Sequence, residues 1–130
     1  MAIASIELQK AVFANLSRLS YPVYDALPKN QPMPYILIGE ENLLRNDTKS
    51  SVMTEHVLTI HAFSKANGTK QVKEMTAYII NSLVDTDLIV SGFDTVVQKL
   101  QNVVNMKELD DLGVIQHAVI QIKYTLTEVK

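Results

Sequence analysis

The feature that most constrains this chain is the alternation near its C-terminus. After Gly113, the residues Ala118, Ile120, Ile122, Tyr124 and Leu126 recur at every second position, and His117, Gln121, Lys123 and Thr125 fill the places between. Successive strand side chains point to opposite faces. The segment therefore reads as a β-strand with one buried and one wetter face, and Ile115 and Val119 add apolar area to the wetter one. A second long strand is read over Val52–Phe63. Val52, Thr54, His56, Leu58, Ile60 and Ala62 form its core face, and Met53, Glu55, Val57, Thr59, His61 and Phe63 the other. A sheet built on two such strands needs apolar cover on one side.

Two helices can supply that cover. Leu8, Val12, Leu16 and Leu19 recur at helical spacing, with Ile6 and Phe13 widening the stripe. Ser5 is placed to cap this helix, Glu7 suits its first turn, and Pro22 ends it. The second helix is read from an N-cap at Thr69 to about Val84, with Val72, Met75, Ile79 and Leu83 as its stripe, Thr76 and Ile80 widening it, and Lys70, Lys73 and Glu74 outside.

The remaining segments are shorter or less regular. Pro28, Pro32 and Pro34 make the run after Leu27 a stiff extended connection. Tyr35–Gly39 reads as a short strand buried on both faces. Residues from Glu40 to Ser51 are polar and charged and read as a long loop, and long loops in compact domains carry function or mobility. Ser64–Gly68 reads as a turn. Leu88–Val90 reads as a short strand or turn entry. The segment 93–104 is rich in β-branched residues and favours strand, with helix left open by spacing. Asn105–Leu112 reads as an exposed charged loop. The expected architecture is a single α+β domain over 1–130, an antiparallel-rich β-sheet with two α-helices packed on one face.

Composition narrows the functional classes. Net charge is −2 and no Lys/Arg cluster stands out, so there is no electrostatic case for nucleic-acid recognition or an anionic membrane. There is no cysteine, which removes disulfides, thiolate catalysis and Cys-ligated zinc. No apolar run is long enough to span a bilayer, and the N-terminus does not resemble a secretory signal. A soluble, cytoplasmic chain is the expectation.

Motifs that carry chemistry are few. The four glycines are scattered one per turn and form no phosphate loop. Asp85-Thr86-Asp87 lacks the glycine and distal glutamate of a calcium loop and marks a helix end. His56 and His61, five apart on one strand, face opposite ways and cannot share a ligand. His61 meets His117 only if their strands are neighbours, and two histidines alone make a weak metal site. No catalytic residue, cofactor or metal is expected, and an enzyme is the least supported class. What remains is surface. Ile115, His117, Val119 and Gln121 form a semi-apolar sheet face that suits burial against another chain, as it also suits burial under a loop. Arg45, Asp47, Lys49, Glu108 and Asp110 sit in charged segments that read as loops. These nine residues are the expected subunit or partner interface. The alternative reading is a small α+β ligand-binding or regulatory module with an apolar pocket between helices and sheet.

Several segments, in order, resemble a known family. Leu8–Leu16 is similar to the opening helix of the tail-completion and tail-terminator (tail-to-head joining) proteins of long-tailed bacteriophages and prophages. Val23-Tyr24-Asp25-Ala26-Leu27-Pro28 and Pro34-Tyr35-Ile36-Leu37-Ile38-Gly39-Glu40 resemble its next two motifs. Thr54–Ser64 is similar to its long strand, with Phe63 at the customary aromatic position. Gly68–Leu83 fits its second helix and Ala118–Glu128 its closing strand. The chain departs from the pattern at Gln116-His117-Ala118-Val119 and over Met106–Leu112. The resemblance implies a structural virion protein that forms a ring of its own copies, typically a hexamer, at the head-proximal end of the tail. It implies contacts with the tail tube protein and with a head-completion or neck protein. It places the protein in the virion tail, and in the bacterial host cytoplasm during assembly.

Overall fold

The computed structural model describes residues 3–49, 51–65, 68–111 and 113–129. Helix α1 (Ala4–Leu16) is followed by a two-residue strand β1 (Val23–Tyr24), the long strands β2 (Tyr35–Arg45) and β3 (Met53–Ser64), and helix α2 (Lys70–Ile80). Helix α2 runs on into a single π-helical turn, Asn81–Asp85. Strands β4 (Phe93–Asp110) and β5 (Gly113–Glu128) close the chain. The five strands form one sheet in the order β1-β2-β3-β5-β4, with β1 parallel to β2 and every other pair antiparallel. The expected α+β class is borne out.

One face of the sheet carries the core. Leu8, Val12 and Leu16 from α1, and Val72, Met75 and Ile79 from α2, pack with Leu83 against Ile36, Ile38, Leu58, Ile60, Ala62 and the β5 row Ala118, Ile120, Ile122, Tyr124 and Leu126. Each large apolar side chain sealed in this way contributes about 1.5–3 kcal/mol. The two strand faces read from the alternation in β3 and β5 are the faces observed. Tyr124 is fully buried, and its hydroxyl donates to the Leu83 carbonyl at 2.7 Å. That bond takes up a carbonyl in the π-helical turn, where the ladder is irregular.

Several expectations are corrected. The polar stretch from Glu40 is strand as far as Arg45, paired with β3 up to Arg45↔Thr54. Likewise Asn105–Asp110 continues β4, up to the pair Asp110↔Gly113. The β2 residues from Glu40 and the β4 residues from Val104 are exposed, so the apolar alternation fades there while backbone pairing continues. Gly113 closes the second hairpin at φ +129, which L side chains rarely adopt. Leu112 of the expected 105–112 loop, Ser50 of the expected 40–51 loop, and Ala66 and Asn67 of the expected 64–68 turn lie outside the described residues. The segment 93–104 is strand.

Leu88–Val90 is not strand. It is an extended connection held by side chains of β4: the Leu88 N–H donates to Gln98 Oε1 (3.0 Å), Gln98 Nε2 donates to the Val84 and Thr86 carbonyls, and Thr95 Oγ1 donates to the Leu88 carbonyl. Ile6 and Phe13 do not widen the α1 stripe; they are 50% and 42% exposed, while Leu8, Val12 and Leu16, with Ala4 and Ala11 beside them, face the core. Ser5 lies inside α1, and its hydroxyl donates to Glu41 Oε1 at 3.1 Å, so it makes no cap. Thr69 occupies the N-cap position of α2 without a side-chain cap bond. The Tyr35–Gly39 strand is covered unevenly. Ile36 and Ile38 enter the core, Tyr35 is buried on the opposite face, and Leu37 there is half-buried.

Candidate functional site

Among the described residues, no helix lies on the second face of the sheet. In an antiparallel pair, residues directly opposite project to the same side. The register therefore assembles a band across four strands: Tyr35 and Leu37 of β2 beside Phe63 and His61 of β3, then His117 and Val119 of β5, then Met106 and Val104 of β4. Tyr35 meets Phe63 with ring centroids 5.1 Å apart, and the Phe63 and His117 rings stack at 4.2 Å. Val104 and Met106 are 43% and 39% exposed. The band mixes aromatic and aliphatic side chains with the two central histidines.

Of the nine expected interface residues, the register brings six to one end of this face or along it. Ile115 pairs with Glu108, His117 with Met106, Val119 with Val104, Gln121 with Asn102, and Asp110 pairs across the turn with Gly113. Asp110 also lies 3.5 Å from Lys65 Nζ. The other three, Arg45, Asp47 and Lys49, are carried by the β2–β3 hairpin to the opposite end. There Arg45 Nε donates to Asp47 Oδ2 at 2.8 Å, and the Met53 N–H donates to Asp47 Oδ1. That pairing holds the Asp47 carboxyl below the usual range and raises the Arg45 guanidinium. The charged segments thus form two separate poles, one at each end of the sheet.

His61 and His117 meet, as adjacent strands allow, with His61 Nδ1 and His117 Nε2 2.8 Å apart. Their outer nitrogens are also engaged. His61 Nε2 donates to Glu40 Oε1 at 2.7 Å and His117 Nδ1 to Glu108 Oε1 at 2.7 Å. The hydrogen bond from His61 holds the Glu40 carboxyl below its ordinary value. Burial, with the Glu108 charge adding to it, pushes the Tyr35 phenol up. Sequence reasoning missed Glu40 and Gly39. The ladder shifts register between Ile38 and Glu41, and this irregularity turns Glu40 toward His61. A Cβ on Gly39 would stand 2.6 Å from His61 Cδ2, so only glycine leaves room for the ring.

His56 is different. It is 0% exposed on the core face, with Nδ1 donating to Glu41 Oε1 and Nε2 2.9 Å from Thr54 Oγ1. A neutral ring satisfies both contacts, because a hydroxyl can donate. The bond from His56 lowers the Glu41 carboxyl, with Ser5 contributing. Among the described residues no group of three or more His, Asp or Glu is arranged to hold a metal ion, and no helix is long and apolar enough to cross a membrane.

The model of the tail completion protein gp17 family matches residues 8–126. The chain belongs to that family. It is 26% identical over 130 residues to tail completion protein gp17 of Bacillus phage SPP1, with 95% of each chain covered. Among solved structures, a chain from the virion of a native gene transfer agent particle superposes with a TM-score of 0.80 at 20% identity, covering 98% of this chain and 99% of that one. The structure of bacteriophage SPP1 gp17 superposes at 0.62 with 22% identity, covering 99% and 93%. These two likenesses establish the shared fold. The family resemblance carried by the ordered motifs is borne out, and membership assigns the chain to phage tail completion proteins.

Proposed function

We propose that this protein is a non-enzymatic assembly subunit that associates with copies of itself into a closed ring, typically a hexamer, at the head-proximal end of a phage tail. The ring terminates the tail tube and offers a surface to a head-completion or neck protein. The observation that carries this reading is the helix-free, semi-apolar sheet face in a member of the tail completion family. A ring requires a heterologous contact in which two different surfaces of one subunit match. A standard interface takes about 800 Å² from each partner. Two of them per subunit would cover roughly a fifth of the 7653 Å² surface. The face with Ile115, His117, Val119 and Gln121 is proposed as one side of the contact. The poles with Glu108 and Asp110, and with Arg45, Asp47 and Lys49, are proposed for the other side and for tube or neck partners. The occurrence of the gene transfer agent relative in a virion particle supports a place in the assembled tail. A ligand-binding module is less well supported, since the space between helices and sheet is filled by core side chains.

Multi-angle light scattering across a concentration series, with and without tail tube protein, tests the proposal. The expected result is a discrete closed oligomer, formed by the chain alone or on tube ends. A chain that stays monomeric at every concentration and ignores tube ends contradicts it.

A further inference from the structure

The four-residue chain on the open face has a definite proton requirement. A carboxylate only accepts hydrogen bonds, so the nitrogens facing Glu40 and Glu108 both donate. A neutral imidazole has a single N–H. Two neutral rings so arranged would point bare lone pairs at each other across the 2.8 Å between His61 Nδ1 and His117 Nε2. A hydrogen must lie on that line. We infer that Glu40, His61, His117 and Glu108 together bind one proton more than two carboxylates and two neutral imidazoles carry, and that this proton ties β2, β3, β5 and β4 together across the open face. With both carboxylates ionised the proton sits on the ring pair, three N–H groups span the two imidazoles, and the four groups carry a net charge of −1.

The surroundings are built for such a group. Gly39 leaves space for the His61 ring, and a Cβ there would fill it. Phe63 stacks on His117 at 4.2 Å and offers its π face to a positive ring. The groups facing the pair are Tyr35 and Glu40 from β2, Phe63 from β3, Ile115 and Val119 from β5, and Met106 and Glu108 from β4, with the Lys65–Asp110 pair at the rim. Raising the pH removes the shared proton and leaves two acceptors opposed. Adding a fourth ring proton opposes two donors. The cross-sheet link therefore exists only over a bounded pH range. The inference stands independently of ring formation.

Long-range proton–nitrogen NMR of the nitrogen-15-labelled chain, from about pH 5 to about pH 8, the span in which histidine ordinarily changes charge, reads the state of each ring nitrogen. The expected result is that His61 Nε2 and His117 Nδ1 are protonated, that the inner nitrogens share one proton, and that the two rings titrate as a coupled unit. Glu108→Gln supplies an amide N–H that donates to His117 Nδ1. It should switch the His117 tautomer to Nε2–H and abolish uptake of the extra proton while the link persists. His56, satisfied separately, reports that the fold is intact. Rings that titrate independently, or an unchanged His117 tautomer in a folded Glu108→Gln, overturn the inference.

Discussion

Replacing Gly39 with alanine probes the open face with a single methyl group. The new Cβ would lie 2.6 Å from His61 Cδ2, 2.7 Å from His61 Nε2 and 3.1 Å from the Thr59 carbonyl oxygen. Ordinary carbon contacts begin near 3.5 Å, so the ring must retreat by about 1 Å. It cannot do so and keep both the 2.7 Å bond to Glu40 and the 2.8 Å contact with His117. Overpacking of this kind costs about 1–3 kcal/mol. With about 2.1 cal/mol/K of unfolding entropy per residue, a cost near 2 kcal/mol lowers Tm by about 7 °C in a chain of 130 residues. Urea titration and calorimetry measure this. Most of the cost should vanish in a His61→Ala background, because the two shortest contacts are gone and only the Thr59 carbonyl contact at 3.1 Å remains, and the double-mutant cycle isolates that coupling. A Gly39→Ala protein as stable as wild type, or an equal loss with and without His61, would refute the reasoning.

Other outcomes follow from particular contacts. Tyr124→Phe strands the Leu83 carbonyl in the buried π-helical turn, and should cost about 1–3 kcal/mol in urea unfolding. Burial also holds the Tyr124 phenol far above its usual value, so ultraviolet titration should find no ionisation of that side chain short of alkaline unfolding. Because His56 depresses the Glu41 carboxyl, its contribution to stability is complete above the unfolded-state value of 4.5 and is lost as pH falls through the lower folded value. Glu41→Gln should flatten that acid limb of the stability curve. Val104→Asp combined with Val119→Asp should weaken self-association at least tenfold in sedimentation equilibrium, with the monomer's near-ultraviolet circular dichroism unchanged.

Strands β3 and β5 were legible in the sequence because each has one face sealed by helices, and that writes a two-residue period into the residue types. The inward stripe of α1 was legible for the same reason. Phe13 and Ile6 were misplaced because spacing shows which side chains share a helix face without showing how wide a contact the helix makes. The ends of β2 and β4 were read as loops since no core selects their side chains; Asn105, Lys107 and Leu109 continue the ladder with exposed side chains. His61 and His117 could be paired only on condition that their strands adjoin. Glu40 was hidden by a register shift that no local pattern announces. The split of the charged residues into two poles follows from hairpin direction, which depends on strand order.

The most direct test of the account is hydrogen–deuterium exchange on the isolated subunit and on its assembled form. Strand β4 is an edge of the sheet in the isolated subunit, and its outward-facing amides exchange freely there. Assembly should slow exchange in segments 102–108 and 115–121, the strands bearing the helix-free face, and leave the outer turns of α2 unchanged. Protection confined to the helices, with both of those segments as open in the assembly as in the monomer, would contradict it.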